Sequence, residues 1–141
     1  MPKTDKENSN FFAPLSSTIK PQVLLVDDNP DNLILLQFML EEVGYQTSTA
    51  NCGQQALQLV KASPPNLILL DLMMPDMNGL EVASWLRWEA STQDIPIVLV
   101  TAYTDDLKDV DCRLVDGVLA KPIDEVQLFS LVDFLINTKD T

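Results

Sequence analysis

Three short apolar runs constrain the fold of this chain more than any other feature of its sequence. Residues 23–26, 67–70 and 97–100 contain only Val, Leu and Ile, without a polar residue at every second position. A strand with one wet face would alternate, whereas a parallel strand that is covered on both faces is apolar throughout. Helical spacing of apolar residues follows each run. The sequence therefore predicts an α/β fold with helices on both faces of a parallel sheet.

Strand and helix patterns alternate along the chain, which predicts a three-layer α/β/α sandwich. We predict strands at residues 22–26, 45–50, 67–71, 95–102 and 118–120. We predict helices at residues 31–44, 53–63, 79–90 and 124–137. Residues 105–116 carry only a weak apolar stripe, and we expect a short or irregular helix there.

Composition limits the domain organisation and the location. Residues 1–20 are polar and rich in Pro, Ser and Asn, so we expect a flexible N-terminal extension before a single domain at residues 21–138. No stretch approaches the roughly 18–20 apolar residues of a membrane span. The N-terminus has no apolar signal core. We therefore expect no membrane partner and a cytoplasmic location.

Charge and residue counts exclude several classes of function. The net charge of −12 argues against direct nucleic-acid binding, which needs Lys and Arg to meet phosphates. The chain has no histidine, which excludes Ser-His-Asp and Cys-His nucleophile systems, His-ligated zinc and a phosphohistidine donor. Cys52 and Cys112 lie far apart and form no metal or redox motif.

Polar side chains lie where the predicted strands end. Asp27 and Asp28 follow the first strand, Asp71 ends the third, and Thr101 and Lys121 follow the fourth and fifth. In sheets of this kind, ligands bind beyond the carboxyl ends of the strands, so we expect these residues to converge. Clustered carboxylates raise one another's pKa, and a divalent cation removes that conflict. Oxygen ligands without His or Cys favour Mg²⁺ or Mn²⁺.

A cation, a carboxylate, a hydroxyl and a lysine together indicate a phosphoryl-transfer site, because such transfer depends mainly on positioning and charge neutralisation. In this interpretation, Asp71 is the nucleophile that forms an acyl phosphate. Thr101 and Lys121 would bind the remaining phosphoryl oxygens.

The same residues carry a family resemblance. The chain is similar to the receiver domains of response regulators in two-component signalling, over about residues 21–137. The matching motifs are "VDD" at 26–28, "LLDLMMPDMNG" at 69–79, "VTA" at 100–102 and "KP" at 121–122. The resemblance implies a flavodoxin-like, doubly wound sheet of order 2-1-3-4-5, with the first and last helices on one face.

The resemblance also implies roles for individual residues. Asp71 would be the phosphoacceptor, and Asp28, Asp71 and the Met73 carbonyl would bind Mg²⁺, with Asp27 acting through water. Thr101 and Ala102, together with Lys121 and Pro122, would form the phosphoryl-binding and switch side, with a cis Lys121–Pro122 peptide.

Partners follow from the resemblance as well. The donor would be a histidine kinase or a histidine phosphotransfer protein, and the output would pass through contact with an unknown protein. Because no DNA-binding segment follows residue 137, we expect a stand-alone receiver without direct transcriptional output.

The chain departs from the family pattern at position 118 and in the segment between Thr101 and Lys121, which is shorter than in familiar members. Val118 stands three residues before Lys121, where receivers usually carry the aromatic residue that changes rotamer on phosphorylation. Met73 and Tyr103 occupy the two positions that tune hydrolysis of the acyl phosphate, and neither offers a group that orients water. We expect a long-lived phosphoryl group, with Tyr103 in place of the missing aromatic.

Parts of the sequence also fit other classes of function. A pseudo-receiver, an interaction module without a phosphorylation cycle, would explain Val118. An aspartate-nucleophile phosphatase would carry a second Asp two residues after the nucleophile, where this chain has Met73. Trp85 and Trp88 lie three residues apart on a predicted helix, either packed locally or forming a patch for a partner.

Overall fold

This computed structural model describes residues 20–102 and 113–139. The described part of the chain contains five strands and four helices. The strands are β1 (Gln22–Val26), β2 (Gln46–Ala50), β3 (Leu67–Asp71), β4 (Ile97–Thr101) and β5 (Gly117–Ala120). The helices are α1 (Pro30–Glu42), α2 (Gly53–Ala62), α3 (Gly79–Trp88) and α4 (Glu125–Lys139). All strand pairs are parallel, in the order β2-β1-β3-β4-β5. The predicted fold class and strand order are confirmed.

Two apolar cores explain why the strands show no alternation. Odd and even positions of β1 and β3 point to opposite faces, and each face is covered by helices. One core packs the sheet against α1 and α4, and the other packs it against α2 and α3. The first and last helices therefore share a face, as the resemblance implied. Every residue of β3 and β4 is buried.

Helix ends account for most of the differences from the predicted bounds. The predicted helix at 31–44 begins one residue earlier and ends at Glu42, where the N–H groups of Val43 and Gly44 turn back to carbonyls of α1. Gly44 has a φ of 103°, a left-handed conformation that glycine adopts without strain. The predicted helix at 79–90 ends at Trp88, because Glu89 is already extended.

The prediction for residues 105–116 lies mostly outside the described residues. Residues 113–116 form a turn and a bend before β5. The predicted extension at residues 1–20 also falls outside them, except for Lys20. Of the helices in the described part of the chain, none combines the length and the hydropathy that a membrane span requires.

The two tryptophans of α3 lie on the surface. Trp85 is 56% exposed and Trp88 is 84% exposed. Such exposure disfavours tight packing between helices and leaves the patch interpretation open. Both residues lie towards the end of α3 that is remote from the carboxyl ends of the strands, because α3 begins beside Asp71.

Candidate functional site

The carboxyl ends of four neighbouring strands bring the predicted site residues together. Asp71 is the last residue of β3, the central strand, and Thr101 is the last residue of β4. Asp27 and Lys121 directly follow β1 and β5. The parallel register aligns these strand ends, so residues that are far apart in sequence become neighbours.

The side chains line one open cleft of roughly 200 Å³. Among the described residues, its walls are formed by Asp27, Asp28, Asn29, Asn32, Asp71, Met73, Thr101, Ala102 and Lys121. Asp27 and Asp71 are only 3% and 6% exposed, whereas Asp28 is exposed. Two carboxylates therefore lie at the base of the cleft and one lies at its mouth.

A glycine and a capping box set the wall that follows Asp71. A Cβ atom at Gly79 would lie 2.5 Å from the Asp71 carbonyl oxygen, so only glycine allows α3 to begin so close to this residue. Asn78 and Glu81 cap the helix reciprocally, each side chain accepting a 2.9 Å hydrogen bond from the other residue's backbone N–H. The loop from Asp71 to α3 is therefore held at both ends.

Lys121 connects the two buried carboxylates. Its Nζ atom lies 3.1 Å from Oδ1 of Asp71 and 3.4 Å from Oδ2 of Asp27. Asp27 also accepts a 2.9 Å hydrogen bond from the backbone N–H of Asn29 and a 3.1 Å hydrogen bond from Nδ2 of Asn32. The Lys121–Pro122 peptide is cis, as the resemblance implied.

Burial and neighbouring charges shift the pKa values of the central pair. Burial raises the pKa of Asp71 above its usual value, and the charges of Asp27 and Asp28 raise it further, although Lys121 opposes them. Burial alone would lower the pKa of Lys121. Hydrogen bonding and attraction by Asp71, with a contribution from Asp27, outweigh that effect, so the pKa of Lys121 is raised.

The cleft fits a hard divalent cation. One carboxylate oxygen from each of Asp27, Asp28 and Asp71 can be chosen so that all three lie within 4.8 Å of one another. Three carboxylates against the single ammonium of Lys121 leave an excess of negative charge in the cleft. An all-oxygen donor set of this kind suits Mg²⁺ or Mn²⁺ better than zinc.

The remaining predicted residues occupy different places. Met73 and Ala102 line the cleft, and the Met73 side chain is 55% exposed. Pro122 lines a neighbouring groove, and Val118 is an exposed residue of β5 outside the cleft lining. Tyr103 lies outside the described residues.

Asn29 and Asn32 are site residues that sequence reasoning missed. Both line the cleft and donate hydrogen bonds to Asp27. The available signal was Asn32 itself, because Asn is a poor helix former that competes for backbone hydrogen bonds. Its presence in the first turn of a helix, beside an acid pair, indicated that its side chain donates a hydrogen bond to a nearby acceptor.

Comparison with known proteins agrees with this geometry. The family model for the response regulator receiver domain matches residues 23–133. The chain belongs to the response regulator receiver family. This receiver is therefore a signalling phosphoacceptor rather than a conventional enzyme, which argues against the phosphatase alternative. Membership also implies a histidine kinase as its partner.

Relatives include both long and short proteins. The receiver is 38% identical over 124 residues to the sensor protein GacS of Pseudomonas syringae pv. syringae, an alignment covering 84% of the receiver but 14% of GacS. It is 35% identical over 105 residues to the polar-differentiation response regulator DivK of Brucella ovis, covering 72% of the receiver and 84% of DivK. The receiver thus spans only a small part of the longer relative.

A solved structure shares the fold. The response regulator TrrA of Thermotoga maritima, crystallised in complex with Mg²⁺ and BeF, superposes with a TM-score of 0.76 at 34% identity. The match covers 83% of the receiver and 99% of TrrA.

Proposed function

We propose that this receiver accepts a phosphoryl group on Asp71 from a phosphohistidine of a histidine kinase or a histidine phosphotransfer protein. The observation that carries the proposal is the buried Asp71 carboxylate at the end of β3, held 3.1 Å from Lys121 Nζ and open to the cleft. In the transfer, a carboxylate oxygen of Asp71 forms a bond to phosphorus, the N–P bond of the donor breaks, and the imidazole leaves with that bonding pair.

The other cleft residues divide the remaining tasks. Asp28, Asp71 and the Met73 carbonyl would hold Mg²⁺ directly, and Asp27 would contact it through water. When bound, the cation neutralises charge on the phosphoryl oxygens. Lys121 and the Thr101 hydroxyl would bind phosphoryl oxygens from the opposite side, with Ala102 and Pro122 completing that side. A phosphoryl group on Asp71 would also give the Lys121 ammonium new acceptors.

An apolar groove beside the cleft provides a docking site for the donor protein. The groove has a volume of roughly 410 Å³ and includes apolar side chains of Leu35, Leu36, Val100, Pro122 and Ile123. It shares Asp27, Asn32, Ala102 and Lys121 with the cleft, so the two cavities adjoin. Along α1, the apolar surface of Leu35 is flanked by two further exposed side chains, Ile34 and Phe38.

The position of the groove beside the cleft determines the occupant that we assign to this surface. A donor must place its phosphohistidine within bonding distance of Asp71, so its own surface must cover the mouth of the cleft and the adjoining residues. A donor helix with apolar side chains beside its histidine would bury Leu35 and Phe38 in doing so.

Residues outside the central pair would tune lifetime and output. Met73 and Tyr103 would crowd the path of the attacking water, and Tyr103 would act in place of the aromatic residue that Val118 replaces. The output partner would recognise the surface that changes with Thr101. The cytoplasmic location and the flexible extension at residues 1–20 remain predictions.

Incubation with acetyl phosphate and Mg²⁺ tests the assignment. The intact mass should rise by one phosphoryl group, and Asp71→Asn should abolish the rise. Asp76→Asn is the matched control, because Asp76 lies in the loop after β3 outside the cleft lining, and its left-handed backbone suits Asn. Equal labelling of Asp71→Asn would refute the site, and no labelling of the wild type would favour the pseudo-receiver alternative.

A further inference from the structure

We propose that Asn32 is a positioning residue of the metal site, whose amide holds the Asp27 carboxylate in its orientation towards the cation. The proposal rests on the function proposed above, because it concerns how Asp27 contributes to Mg²⁺ binding. Asn32 would not contact the ion. It would act through the hydrogen bond from its Nδ2 atom to Oδ2 of Asp27, which is 3.1 Å long.

The surroundings of Asp27 show why this bond matters. Asp27 is almost fully buried, so water cannot satisfy its oxygens from most directions. Oδ1 accepts the backbone N–H of Asn29, while Oδ2 is shared between Asn32 Nδ2 and Lys121 Nζ. Among the described residues, Asn32 is the neutral side chain that donates to this carboxylate.

Lys121 cannot replace Asn32 in this role. Its ammonium lies closer to Asp71 than to Asp27, at 3.1 Å against 3.4 Å. In the proposed reaction the same ammonium also binds the incoming phosphoryl group. Asp27 would then lose part of its interaction with Lys121, whereas the Asn32 amide donates to no other group in the described part of the chain and stays in place. Asn32 therefore fixes Asp27 both before and after phosphorylation.

Asn32 also lines the apolar groove beside the cleft. It is the third residue of α1 and lies in the first turn, which begins at Pro30 and is capped by the Asn29 side chain accepting from Asp31 N at 2.9 Å. Of the residues that line both the cleft and the apolar groove, Asn32 is the one that belongs to α1. A donor that docks on α1 would therefore press on the helix that orients Asp27.

Substitution of Asn32 by Leu tests the proposal, because Leu has a similar size and no donor. We expect the affinity for Mg²⁺ alone, measured by calorimetry on the full chain, to fall about 10-fold, as removal of an outer ligand-orienting group typically does. Asn32→Gln keeps the donor on a longer side chain and should recover part of the affinity. Circular dichroism and thermal unfolding monitor the fold of each variant.

Gln37→Leu is the matched control. Gln37 is another amide of α1, but it donates to Thr47 Oγ1 at 3.1 Å rather than to a site residue. Its replacement should leave Mg²⁺ affinity unchanged. An equal loss of affinity in Gln37→Leu would attribute the effect to α1 stability and overturn the proposal.

A double-mutant cycle separates an effect of Asn32 that passes through Asp27 from an effect that does not. If Asn32 acts through Asp27, Asn32→Leu should cause no further loss of affinity in an Asp27→Ala background. An undiminished loss in that background, or wild-type affinity in the single Asn32→Leu variant, would overturn the proposal. A wild-type chain that binds no Mg²⁺ would instead refute the proposed metal site, so the two failures are distinguishable.

Discussion

Lys121 Nζ lies 3.1 Å from a carboxylate oxygen of Asp71, although 50 residues separate them in the sequence. The contact offsets only part of the cost of burying a charge next to Asp27 and Asp28, because the pKa of Asp71 remains raised. An ionised Asp71 carboxylate in such surroundings therefore destabilises the fold when no cation is bound.

In Mg²⁺-free solution, Asp71→Asn should raise the Tm at pH 7 by a few degrees. A group whose folded pKa is raised contributes stability when protonated and loses it as pH rises through that pKa, so ionised Asp71 weakens the fold. The difference in Tm between Asp71→Asn and wild type should therefore shrink as pH falls towards about 4, where the free carboxyl titrates. Calorimetric scans across this range measure the difference. A pH-independent difference, or one matched by Asp76→Asn, would contradict the prediction.

Mg²⁺ affinity should depend more on Asp28 than on Asp27. Asp28 is the exposed carboxylate at the mouth of the cleft and is the proposed direct ligand, whereas Asp27 would act through water and already accepts three hydrogen bonds. We expect Asp28→Ala to weaken binding more than the roughly 10-fold typical of an indirect contributor. Isothermal titration gives the comparison. Asp31→Ala, which removes an acid of the first turn of α1, controls for net charge. Equal affinity in Asp28→Ala and wild type would refute the direct ligand.

Leu35→Ser and Phe38→Ser should slow transfer from a phosphorylated histidine kinase that labels the wild type. They should leave labelling by acetyl phosphate unchanged, because the small donor needs no apolar docking surface. The expected loss with the kinase is on the order of 10-fold, as for truncation of a buried apolar contact at an interface. Phe134→Ser, an equally exposed position on α4, is the matched control. Slower labelling by both donors would point to damage in the cleft itself.

The phosphorylated form should persist for many minutes, and the double variant Met73→Asn, Tyr103→Glu should lose its phosphoryl group faster. Polar groups at these positions would orient the attacking water, an effect often worth about 10²–10⁴-fold in rate. Decay of the added mass after removal of acetyl phosphate measures the rate. Val118→Ala is the control, because Val118 lies outside the cleft lining, at the position where receivers usually carry an aromatic residue. Its phosphoryl group should be lost at the wild-type rate. Unchanged decay in the double variant would show that other residues control water access.

The sequence by itself determined the layers, the strands and the ends on which the site lies. Apolar runs without alternation indicate burial on both faces, and a parallel sheet covered by helices supplies it. Asp27, Asp71, Thr101 and Lys121 could be placed at one edge because they follow those runs. Their proposed roles rest on chemistry and resemblance.

Only the tertiary structure decided how the side chains meet. Lys121 is divided between Asp71 and Asp27, which lies 94 residues away, and Asn32 reaches Asp27 from the first turn of α1. Periodicity reports which face of an element is buried, but it carries no distance between two side chains on different elements. Strand order, register and the entry angle of α1 fix those distances. For that reason the carboxylates were visible in the sequence, whereas the contact between the Asn32 amide and Asp27 was not.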